Sequence, residues 1–266
     1  MLLTKIRTDI HRITLPSIGD VPDEYWAKLA EKRIFFGHQS VGYDIIDGII
    51  NILDEYNHVK LDIVETDETA EFDRPVFAHS RIGKNTDPPS KISGFRKIMD
   101  SGVGDKVDIA FFKFCYVDIM RDSDPRKIFD IYNTAIDDLK ERYPRVGFLH
   151  VTVPLCSSPV GTERRIKENI KLLIGIPGLL DDNINRNLYN RLLNETYSEM
   201  EPVFDLALLE SLNPDGFRSY ANKGSEKVFV MSPQYTSDGG HLKQESRKRI
   251  AEQLLIILAE TANKPS

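Results

Sequence analysis

The sequence predicts an α/β fold, a mostly parallel sheet covered on both faces by helices. Two observations carry that expectation. Short apolar runs alternate along the chain with longer stretches of helical period, the pattern of βαβ units. The chain is also 266 residues long, enough to bury one large core, and it has no internal repeat or low-complexity segment that divides it.

In chain order, residues before about Glu31 read as a leader and a first helix started by Pro22-Asp23-Glu24. Residues 1–30 are expected to pack on a single domain spanning 31–266. Arg33-Ile34-Phe35-Phe36, ended by Gly37, reads as a buried strand, and Val41 to about Tyr56 then turns to helical period, with Ile45, Ile46, Ile49, Ile50 and Leu53 on one side. Val59–Val64 alternates like a strand. The charged, proline-rich stretch Thr66–Ser90 reads as a long loop, a feature that in compact domains usually carries function. A helix is expected over Lys91–Met99, a strand over Val107–Phe112, and an amphipathic helix over Pro125–Tyr143 that Pro144 stops. Val146–Val153 reads as a strand. A loop with Pro159 and Gly161 follows, then helical patterns at 162–174 and 182–199. Short strands are expected at Pro202–Leu206 and Val228–Met231, and a last helix over Leu242–Ala262.

Composition narrows the function. A formal net charge of −6 argues against a general nucleic-acid binder. The two cysteines, Cys115 and Cys156, lie in apolar runs and supply neither a disulfide framework nor a CxxC pair. The N-terminal stretch lacks the apolar run of a secretory signal, and no segment reaches membrane-spanning length, so a cytoplasmic protein without a membrane partner is expected. Nothing in the sequence speaks to oligomeric state.

Open parallel sheets bind ligands beyond the carboxyl ends of their strands, which directs attention to the residues after each strand. After the first comes Gly37-His38-Gln39-Ser40-Val41-Gly42. A serine at this helix start lies where backbone N–H groups and the helix dipole favour developing negative charge, a setting for a nucleophile; a plain N-cap fits the same position. Before the last helix comes Ser237-Asp238-Gly239-Gly240-His241-Leu242. Its glycines allow the carboxylate to fold back on the imidazole as in a serine triad, while a capped helix start fits it equally. In the long loop, His79-Ser80-Arg81-Ile82-Gly83-Lys84-Asn85-Thr86-Asp87 offers a glycine N–H and an amide donor, or an ordinary Gly-Asn turn. His58, His150 and Trp26 read as structural, and Lys243–Arg249 as a solvated helix face.

Together, IFFGHQSVG, AHSRIGKNTDP and SDGGHLKQES resemble the serine, glycine and Asp-x-x-His blocks of the SGNH (GDSL-like) hydrolase superfamily, over about Arg33–Ala262. The resemblance implies a flavodoxin-like three-layer α/β/α domain and an esterase or acetylesterase that needs no cofactor or metal. It implies a triad of Ser40, His241 and Asp238, with an oxyanion hole from Ser40, Gly83 and Asn85. His38 and Arg81 would contact a small-molecule or carbohydrate ester. Two departures stand out: His38-Gln39 replaces a single aspartate before the serine, and Lys113-Phe114-Cys115-Tyr116-Val117-Asp118 lacks the asparagine of the third block. Two other readings compete. One is a metal-dependent hydrolase using His38, His79, Asp238 and His241. The other is a non-catalytic carbohydrate-binding protein on the same scaffold.

Overall fold

The computed structural model describes residues 7–157 and 179–264; the expected loop at Pro159–Gly161 and helix at 162–174 lie outside them. The elements in order are β1 (Arg7–Arg12), α1 (Asp23–Ala30), β2 (Arg33–His38), α2 (Val41–Glu55), β3 (Ile63–Glu65), β4 (Val76–Arg81) and α3 (Pro88–Ile98). Then follow β5 (Ile109–Phe112), α4 (Pro125–Arg142), β6 (Gly147–Phe148), β7 (His150–Val151), α5 (Leu179–Tyr197), β8 (Val203–Phe204), α6 (Leu206–Ser211), β9 (Phe217–Lys223), β10 (Glu226–Phe229) and α7 (Gln244–Asn263).

Five strands form a parallel sheet in the order β3-β4-β2-β5-β6. Past Leu149 the same extended run becomes β7, which pairs in parallel with β8. Successive side chains of a strand point to opposite faces, and here each face has its own core. Ile34, Phe36, Phe77, Ile109 and Phe111 pack with α1, α2 and α7 on one side. Phe35, Ala78, Ala110 and Phe112 pack with α3, α4 and α5 on the other. The result is the three-layer α/β/α arrangement that the alternating pattern predicts. Burying each of these large side chains contributes about 1.5–3 kcal/mol, so the two cores dominate stability.

Three elements differ from the sequence reading. The stretch Thr66–Ser90 is not a loop throughout: it contains β4, which is hydrogen-bonded on both sides within the sheet. Its sequence, VFAHSR, hides the strand because two inward residues, His79 and Ser80, are polar yet buried. The leader holds a strand as well as a helix. β1, β9 and β10 make a small antiparallel sheet, and neither RTDIHR nor FRSYANK has the apolar run that marks a buried strand. Finally, the strand expected at 59–64 is confined to Ile63–Glu65.

The contact between α2 and α7 sets the geometry of the site. Gly48 lies at their closest approach: a Cβ there would come within 2.4 Å of the Arg247 carbonyl oxygen and 2.8 Å of the Ala251 Cβ. Alanine in place of Gly48 gains about 1 kcal/mol of helix propensity. Overpacking against a backbone atom costs about 1–3 kcal/mol or more. An approach of 2.4 Å to a backbone oxygen belongs at the upper end of that range, about 2–3 kcal/mol, so Gly48→Ala should be net destabilised by about 1–2 kcal/mol in urea denaturation; an unchanged midpoint would mean that the helices separate freely.

Candidate active site

Between the end of β2 and the start of α2 only Gln39 and Ser40 make the turn, and the turn is tight. Ser40 has φ 41° and ψ −104°, a conformation that a non-glycine residue rarely adopts and that costs of order 1–3 kcal/mol. Ser40 stands at the N-cap position of α2, but its side chain caps nothing. Its Oγ lies 2.7 Å from His241 Nε2 instead. Gly42, in the first turn, leaves room for the His38 ring beneath it, since a Cβ there would fall 2.2 Å from that ring. Gln39 turns away from the serine and donates to the carbonyls of Ile82 and Gly83 at 3.1 and 3.0 Å.

Asp238 both closes its own turn and orients the histidine. Its Oδ1 accepts from the backbone N–H of Gly240 (2.9 Å) and His241 (2.8 Å) and from the Thr236 hydroxyl (3.1 Å). Its Oδ2 lies 2.7 Å from His241 Nδ1. Partial burial raises this carboxyl, but the four hydrogen bonds outweigh it and hold the group well below the usual carboxylate range. An ionised carboxylate only accepts, so the proton sits on Nδ1 and leaves Nε2 to accept from the Ser40 hydroxyl. Asp44 of α2 ties this segment down: it accepts from the Leu242 N–H at 3.2 Å and pairs with Arg247 at 2.8 Å.

The third element is anchored from below. Gly83 has φ 53°, and a Cβ there would meet the Lys91 backbone nitrogen at 2.5 Å, so only glycine fits. Lys91 and Asp118 form an ion pair of 2.5 Å with both side chains fully buried. Asp118 also accepts from the N–H groups of Cys115 (2.6 Å) and Thr86 (2.8 Å), and the Lys91 ammonium donates to Asn85 Oδ1 at 3.0 Å. With its carbonyl oxygen committed to Lys91, the Asn85 amide presents its NH2 end elsewhere. The 113–118 block, which lacks an asparagine, thus contributes Asp118, the acceptor that holds Asn85's partner. Neither Lys91 nor Asp118 was singled out from sequence; the only available signal was a charged residue inside an apolar pattern.

Ser40, His241 and Asp238 therefore meet in direct hydrogen bonds, and Gly83 is tied through its carbonyl to Gln39, the residue before Ser40. Arg81, exposed at the end of β4, donates from Nε to the Tyr43 hydroxyl at 2.8 Å. His38 does not take the position expected of it. It is wholly buried, and its Nε2 lies 3.0 Å from His79 Nδ1, so it supports the turn from beneath and has no access to a substrate. Burial, with help from Lys113, His79 and Arg81, pushes its pKa down to about 2, so the ring is neutral. The four residues of the metal reading are split accordingly, His38 with His79 inside and His241 with Asp238 on the serine. Among the described residues no group of three or more His, Cys, Asp or Glu side chains is placed to hold a metal ion.

No protein-family model matches the chain, and no curated protein does. Solved structures do. A protein solved from Streptococcus pneumonia under the description putative platelet activating factor shares 15% identity at a TM-score of 0.48, over 88% of this chain and 89% of its own. An acetyl xylan esterase shares 16% at 0.45, over 84% and 98%. The periplasmic domain of a lipopolysaccharide acetyltransferase from Salmonella ser. Paratyphi A shares 13% at 0.46, over 83% and 80%. At these levels the case for the site rests on its own geometry. No helix among the described residues is long and apolar enough to cross a membrane.

Two buried groups near the site set opposite limbs of a stability profile. Glu210 is fully buried, and burial pushes its carboxyl up to about 8 from an ordinary 4.5. It keeps a proton in the folded state that the unfolded chain releases, so stability falls as pH rises from about 4.5 to 8. His38 has the reverse sense, with stability lost as pH falls below 6.5. Glu210→Gln should flatten the alkaline limb alone, read as a smaller difference in urea midpoint between pH 5.5 and pH 8. Equal slopes in variant and wild type would remove Glu210 as its source.

Proposed function

We propose that this protein is a serine ester hydrolase that removes small acyl groups, acetyl foremost, from a carbohydrate or small-molecule ester. The observation that carries the reading is the continuous hydrogen-bond chain from Ser40 Oγ to His241 Nε2 and from His241 Nδ1 to Asp238, 2.7 Å at each step. It is joined to a serine whose strained backbone frees its hydroxyl from capping. In this reading the Ser40 hydroxyl attacks the ester carbonyl as its proton passes to His241 Nε2, and Asp238 stabilises the imidazolium. The negative charge on the carbonyl oxygen is taken up by the N–H groups of Ser40 and Gly83 and by the Asn85 amide at the positive end of α2. The imidazolium gives its proton to the leaving alkoxide, and the alcohol departs. Water, deprotonated by the same histidine, then attacks the acyl-serine; the carboxylic acid leaves and Ser40 regains its proton. No step calls on a cofactor.

Hydrolysis of p-nitrophenyl acetate tests this. Ser40→Ala and His241→Ala should fall to background, and Asp238→Asn should lose about 10³–10⁴ in kcat through the wrong tautomer. A wild type that turns over no ester, or variants that match it, would sink the serine mechanism; glycan binding retained by Ser40→Ala would then favour the binding-protein reading. Asn85→Ala tests the oxyanion assignment separately. A loss of about 10²–10³ in kcat is expected, and a loss below threefold would take Asn85 out of the hole.

A further inference from the structure

The surroundings of Ser40 carry a cation whose setting resembles a recognition group rather than a surface ion pair. Arg81 is the last residue of β4, opposite His38 in the parallel register and so two residues from the nucleophile's level. Its Nε donates to the Tyr43 hydroxyl at 2.8 Å, and its guanidinium carbon lies 5.2 Å from the centre of the Tyr43 ring. Tyr43 is itself fixed in the first turn of α2, its N–H bonded to the Ser40 carbonyl at 2.8 Å. The guanidinium is thus held through one edge while its two terminal nitrogens make no ion pair or hydrogen bond among the described residues. The neighbouring carboxylate, Glu65, takes the Tyr43 hydroxyl rather than the arginine.

Five other arginines of this acidic molecule, Arg33, Arg74, Arg96, Arg142 and Arg247, each hold a carboxylate. Two further exposed cations flank the site, Lys84 next to Gly83 and Lys243 two residues past His241, and neither ammonium is ion-paired among the described residues. A planar, pre-positioned fork with both terminal nitrogens open matches a carboxylate or phosphate in two-point contact.

Resting on the esterase reading above, we infer that the substrate is an anionic ester, an acylated compound carrying a carboxylate or phosphate group that the terminal nitrogens of Arg81 bind while Ser40 attacks the acyl carbon. Lys84 and Lys243 add attraction at longer range, which salt screens.

The test compares kcat/KM for three matched acetyl esters: of methyl glucoside, of methyl glucuronide and of glucose 6-phosphate. Wild type should prefer at least one anionic ester over the neutral one by about 10–100-fold, the range of a hydrogen bond to a charged group. The preference should shrink between 50 and 500 mM NaCl. Arg81→Gln should lose about 10–100-fold more on that anionic ester than on the neutral one, mainly through KM, and Arg81→Lys should recover part of it. The two anionic arms tell carboxylate from phosphate. No anionic preference in wild type, or equal losses on neutral and anionic esters in Arg81→Gln, overturns the inference. If no ester is turned over, the esterase reading fails separately, and calorimetry on Ser40→Ala with the same three sugar esters still decides the subsite. Tighter binding of an anionic sugar ester that disappears in Ser40→Ala/Arg81→Gln supports it, and equal binding of all three refutes it.

Discussion

The site depends on two helices from opposite ends of the chain lying close enough for backbone to touch side chain. Ser40 opens α2, and His241 stands just ahead of α7, 201 residues later. Nothing local brings them together; the packing of α2 on α7 does. Gly48 allows the approach, and Arg247 then crosses it, pairing with Asp44 and Asp47 on α2 while donating to the Leu242 carbonyl beside the histidine. Register matters as much as proximity. A slide of one helical turn, about 5.4 Å, would leave Ser40 and His241 out of hydrogen-bond reach, so the arginine's several partners act as a pin against sliding.

The opposite side of the site relies on a different device. A fully buried ion pair such as Lys91–Asp118 is a poor source of net stability, because desolvating both charges offsets most of their attraction. Its value here lies in what the charges hold. One carboxylate gathers the N–H groups of Cys115 and Thr86, one from each of two loops, and one ammonium fixes the oxygen end of Asn85. An apolar pair of equal volume could fill the space but could not set the direction of an amide. An oxyanion donor, the role proposed for Asn85, needs its angle fixed as well as its distance, and low-dielectric polar contacts supply that at the expense of stability.

Much of this was legible in the sequence, for reasons that can be stated. The central strands IFF and IAFF read correctly because a strand buried on both faces must be apolar throughout. Ser40, Asp238 and His241, which the structure joins by hydrogen bonds, stood out because a serine at a strand-to-helix junction and an aspartate three residues from a histidine leave a local trace. Strand β4 left none: two of its five buried side chains are polar, and of these His79 finds a partner in His38 on the neighbouring strand. The same pair explains why His38 was misplaced. Adjacency to Ser40 in sequence suggested contact with substrate, but alternation along β2 sends His38 inward while the turn lifts Ser40 out. The Lys91–Asp118 hub was invisible because its members are 27 residues apart and neither has a motif.

Beneath the serine the interior is less well satisfied than elsewhere in the sheet. Six buried polar atoms lack a protein partner among the described residues: Trp26 Nε1 and Tyr189 Oη lie in the helix layers, while His38 Nδ1, Ser80 Oγ, Ser157 Oγ and Glu210 Oε1 belong to segments at or after the carboxyl ends of strands. Buried Lys113 lies among them, donating weakly to the Phe114 carbonyl at 3.3 Å and charge-coupled to both His38 and Glu210. Each unpaired buried group costs about 1–3 kcal/mol, comparable to the strain at Ser40. Scattered at random through the sheet, such defects would threaten a marginally stable fold. Four of the six lie toward one end of the sheet, and the two apolar cores on its faces carry them. The strain at Ser40 and four of the six unsatisfied polar atoms thus lie toward one end of the sheet, an arrangement that fits the serine mechanism proposed above.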